Sequence, residues 1–77
     1  MSHPEAFTMH QSLSFETLGF EGVESADQVN RITTALMMLD GVDSVEVGRH
    51  GADVEGTASR EVLIRAVKAL ELPIVIR

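Results

Sequence analysis

The chain has no cysteine. That excludes a disulfide framework, a thiolate metal site and a cysteine nucleophile. Basic residues are scarce: six Lys and Arg stand against twelve Asp and Glu, for a net charge of −6. Nucleic acid needs a basic face and anionic lipid attracts clustered Lys and Arg, so neither a nucleic-acid nor a membrane partner is expected. No apolar run approaches the length of a membrane span. The opening MSHPEAFTMH has no early basic cluster and no long apolar stretch, so it is not a secretory signal and the expected compartment is cytoplasmic. There is no internal repeat and no low-complexity segment. G-x-S-x-G, a phosphate-cradling glycine loop and H-E-x-x-H are all missing, and no enzyme activity is expected.

What remains is 77 residues, 44% hydrophobic and 23% charged, the composition of one small folded domain. Pro4 blocks an early helix, so residues 1–10 read as a flexible tail and 11–77 as the domain. Residues 13–20 suit a strand. Its apolar pairs Leu13/Phe15 and Leu18/Phe20 have opposite parity, which calls for a bulge near Thr17 or a later strand start. From Ser25 to Leu39, the residues Val29, Ile32, Leu36 and Leu39 recur on one helical stripe. Ser25 and Gln28 form an S-x-x-Q capping box at its start, Asp27 favours the positive helix end, and Gly41 closes the helix. Val42–Val47 and Ala52–Glu55 alternate as two strands around a GRHG turn at 48–51. Thr57 or Ser59 caps a second helix near 60–71, with Leu63, Val67 and Leu70 as its stripe. Pro73 stops it and Ile74–Ile76 forms a last strand.

The order β-α-β-β-α-β defines an α+β, ferredoxin-like sandwich: a four-stranded antiparallel sheet with both helices on one face. Right-handed crossovers place the first and last strands side by side and the third strand between the first and second. The loop at 21–25, the turn at 48–51 and the turn at 71–73 then meet at one end.

The run GVESADQVNRITTALMMLDGVDSVEV (22–47) resembles heavy-metal-associated domains, as in copper chaperones and the modules of copper- and zinc-pumping ATPases. Ile32, Ala35, Leu36, Leu39, Gly41 and Val42 match the helix pattern of that family, Val45 and Val47 its second strand, and Ala52, Val54 and Gly56 its third. Leu63, Ala66 and Val67 match its second helix. The resemblance implies a metal-transport scaffold, but it puts Ser25 and Gln28 where the family has its two cysteines and Val23 where it has methionine. Leu72 falls where an aromatic residue or lysine often lies beside the metal, and Glu71 replaces a frequent glycine.

A soft ion such as Cu(I) prefers sulfur, whereas a hydroxyl and an amide carbonyl are hard, neutral donors. The pair therefore suits a helix cap. Substitute ligands for a divalent or copper ion are Glu24, Asp27 and His50, alternatively read as helix-start acids and a solvated turn histidine. The tail adds His3, Met9 and His10, and Met1-Ser2-His3 with the free amine is a Cu(II) chelator if Met1 is retained. Met37 and Met38 read as core filling with one at the rim. Acylphosphatases share this fold, but they need an arginine in a loop that is acidic here, at Glu21 and Glu24.

Two surfaces invite partners. Glu46, Asp53 and Glu55 share the outer face of the sheet, as a solvated face or a dock for a basic partner. Ile74-Val75-Ile76 lies at a sheet edge open to a protein partner or to self-association, unless Phe7 or Leu13 covers it. Three functions follow: a non-enzymatic interaction module that lacks the thiolate site, a metal carrier using substitute ligands, or a small-molecule regulatory domain.

Overall fold

The computed structural model describes residues 14–77. The tail at 1–10, with Met1, His3, Phe7, Met9 and His10, lies outside them, as does Leu13. Six elements follow in the expected order: β1 (Ser14–Glu21), α1 (Ala26–Met37), β2 (Val42–Val47), β3 (Gly51–Gly56), α2 (Arg60–Lys68) and β4 (Val75–Ile76). The sheet runs β2-β3-β1-β4 with every neighbouring pair antiparallel. This is the ferredoxin-like α+β layout.

One core holds the layers together. Leu18 and Phe20 of β1 and Ala52 and Val54 of β3 face Ile32 and Leu36 of α1 and Leu63 and Val67 of α2. Leu18, Ile32, Leu36 and Leu63 are wholly inaccessible, and each such side chain contributes about 1.5–3 kcal/mol before chain entropy is counted. Val29, Leu39 and Leu70 extend the two stripes as half-buried flanks.

The parity conflict in β1 has a different solution from either expected one. The β1–β3 register is unbroken from Ser14↔Gly56 to Gly19↔Gly51, so there is no bulge at Thr17. Instead Leu18 and Phe20 take the core and Phe15 is turned to the outer face, 70% exposed. The irregularity sits in β2, where Val42 opposes Gly56 and Ser44 opposes Glu55, leaving Asp43 as the extra residue. That insertion lets Val42 and Val45, three apart, both pack on the core.

Both helices are shorter than their apolar periodicity suggested. Helix α2 is capped by Ser59, whose Oγ accepts from the Val62 N–H at 3.3 Å, and not by Thr57. It ends at Lys68 rather than near residue 71, and the chain turns back through Glu71 at φ +58. Met37 and Met38 are both exposed, not core filling, because they lie off the stripe of Val29, Ile32, Leu36 and Leu39 that packs on the core. Among the described residues no helix is long and apolar enough to cross a membrane.

Candidate functional site

The end of the sheet that carries the β1–α1 loop is built by close backbone contacts. The Phe20 N–H donates to the His50 carbonyl at 2.9 Å, which joins the β2–β3 turn to β1. Gly22 has φ +99, and a Cβ there would meet the Pro73 carbonyl oxygen at 3.0 Å. Only glycine lets this loop pass so near the turn before β4. The loop from Gly22, the turn carrying His50 and the turn at Pro73 therefore adjoin, as the topology required. Val23 is buried and anchors the loop to the core, against which Leu72 packs half-buried.

Ser25 takes an extended conformation at φ −133 and ψ 156 and caps α1. Its Oγ accepts from the Gln28 N–H at 3.2 Å. The Gln28 side chain returns the bond twice: Oε1 accepts from the Glu24 N–H at 2.7 Å and from the Ser25 N–H at 3.2 Å. An amide oxygen has two acceptor positions, so Oε1 is filled. The two oxygens thus face backbone donors that the start of a helix would otherwise leave unsatisfied. A soft ion at this turn would find only a hydroxyl and an amide oxygen already in use.

Glu24, exposed in the loop before Ser25, Asp27, exposed in the first turn of α1, and His50, exposed on the adjacent hairpin, are at the same end of the sheet. Among the described residues, no three His, Cys, Asp or Glu side chains gather closely enough to hold a metal ion. Arg77 pairs with Glu21 at the β4 side of this end.

The outer face of the sheet gathers the other expected set. Glu46 stands opposite Asp53, and Ser44 opposite Glu55. Thr17 Oγ1 donates to Asp53 at 3.1 Å, and Ser44 Oγ donates to Glu55 at 3.1 Å. Phe15, which pairs with Glu55 across β1 and β3, joins them. Sequence reasoning did not place Phe15 here, although the parity of Leu18 and Phe20 was the signal for it. At the edge of the sheet, Val75 is exposed, while Ile74 and Ile76 pack on the core.

No protein-family model matches the chain, and no curated protein is significantly similar to it. Solved structures share its fold. A proposed copper-ion-binding protein from Bacillus anthracis str. Ames superposes with a TM-score of 0.75 at 18% identity, over 86% of this chain and 97% of that one. The CsoZ metallochaperone gives 0.74 at 17% identity, over 84% and 97%. A copper-binding domain from HMA7, a P-type ATPase, gives 0.71 at 22% identity, over 82% and 92%. The chain therefore has the fold of small copper-binding domains. At these identities the likeness is one of fold.

Proposed function

We propose that this chain is a non-enzymatic module of the heavy-metal-associated type that acts through protein contacts, its ligand positions converted into a helix cap. The observation that carries the reading is the double acceptance by Gln28 Oε1, together with the reciprocal bond to Ser25 Oγ. A chain without cysteine offers no thiolate to compete with that cap. The copper-binding fold neighbours support a place in or near metal handling.

Carriage of a metal ion by substitute ligands is the second reading, favoured by the location of Glu24, Asp27 and His50 at one end of the sheet. Titration of the purified protein with Cu(I), Cu(II), Zn(II) and Ni(II) against a competing chelator separates the two. The module reading expects no tight one-to-one complex. Tight binding that disappears with His50→Ala would defeat it and establish the carrier.

A further inference from the structure

The outer face of the sheet breaks a rule of sheet construction. Glu46 and Asp53 are directly opposed across β2 and β3, and like charges in that position are mutually unfavourable. Glu55 occupies the next outward position on β3. The hydroxyls of Thr17 and Ser44 hold Asp53 and Glu55 on this face. With Phe15, these carboxylates line a depression of about 360 Å³. Arg77, the cation at the β4 edge, is engaged by Glu21. Arg31, Arg65 and Lys68 lie on the two helices, Arg60 at the start of α2 is engaged by the Thr17 and Arg77 carbonyls, and Arg49 lies on the β2–β3 turn.

We infer that this face docks a basic protein surface, which places a lysine or arginine against Phe15 within reach of Glu46, Asp53 and Glu55. The inference rests on the interaction role proposed above and names its surface and partner chemistry. An exposed ring attracts a cation through its quadrupole, and the carboxylates add charge-assisted hydrogen bonds. Complementary charge would steer such a partner to the face. A bound cation also relieves the repulsion between Glu46 and Asp53, so the free face is held in a state that binding improves.

The test uses the full chain, isotopically labelled, titrated with a short Arg- and Gly-rich peptide, and with the same peptide carrying Gln at each Arg. Saturable shifts at Phe15, Ser44, Glu46, Asp53 and Glu55 with the first peptide only are expected. Phe15→Ala should weaken binding about 2–5-fold. Glu46→Gln should weaken binding while raising the melting temperature, a pairing that a purely structural role would not produce. The triple variant Glu46→Gln/Asp53→Asn/Glu55→Gln should weaken binding about tenfold, and the control Glu24→Gln/Asp40→Asn/Glu61→Gln, of equal charge, less than about twofold.

Equal losses in both triple variants would reduce the effect to general acidity and overturn the proposal. No binding, or shifts centred on the Ser25 turn or the helices, would also overturn it. Two other occupants would do the same: a second copy, revealed by concentration-dependent shifts without peptide, or this chain's own Phe7 or Leu13 contacting Phe15 in the free protein. Failure here is separate from failure of the module reading, which the metal titration of the native chain decides.

Discussion

Two side-chain oxygens shape the start of α1, and their removal has a calculable effect. Ser25→Ala leaves the Gln28 N–H without its acceptor and should lower stability by about 0.5–2 kcal/mol in urea unfolding. An unchanged midpoint would mean that the cap is idle. Glu71 offers the opposite case. Its φ of +58 is left-handed, a conformation that costs a residue with a Cβ about 1–2 kcal/mol. Glycine removes that strain but frees the unfolded chain by about 0.4–1 kcal/mol, so the strain term wins narrowly. Glu71→Gly should therefore raise stability by about 0.5–1 kcal/mol. The cap was legible in the sequence because S-x-x-Q is a local pattern. The strain at Glu71 was not, because it depends on where α2 stops, and that is fixed by the turn that brings the chain back to Pro73 and Ile74.

Among the elements, the strands carried the ambiguities and the helices little beyond their ends. Periodicity of Ile32, Leu36, Leu63 and Val67 placed both helices on the core, as found. Alternation in β1 was contradictory, and local sequence does not say which of two parities the core will take. Leu18 and Phe20 join the core cluster with residues of both helices, and Phe15, of the other parity, is left outside. The bulge in β2 was hidden for a related reason. It depends on the close pass of Gly56 and Gly41, which are far apart along the chain. A Cβ on Gly56 would sit 2.1 Å from the Gly41 carbonyl oxygen, at φ +149. Gly56→Ala should cost about 1–3 kcal/mol in backbone strain and about 1–3 in overpacking. A chain of 77 residues has about 4–12 kcal/mol in all, so the variant should be far less stable by thermal or urea unfolding. Native-like stability would show that β2 can lose its bulge.

At the scale of the whole molecule, the end loops are assembled from three separate stretches of chain, and this decides what the site can do. The S-x-x-Q pattern put Ser25 and Gln28 at the start of α1, where Ser25 is the N-cap and Gln28 lies in the first turn, at the end of the sheet that carries the turns at His50 and Pro73. It could not reveal that Gln28 Oε1 takes two N–H donors, since the second comes from Glu24 in the loop geometry itself. Nor could it reveal Phe15 among the carboxylates of the outer face, which needs the register of three strands. If the copper-binding fold persists here with a cap in place of its sulfur ligands, restoring the sulfur should restore the chemistry. The most direct measurement is a Cu(I) titration, against a competing chelator, of the folded variant Ser25→Cys/Gln28→Cys beside the native chain. The account predicts a tight one-to-one complex for the variant and none for the native protein. A folded variant that ignores Cu(I), or a native chain that binds it as tightly, would contradict the account.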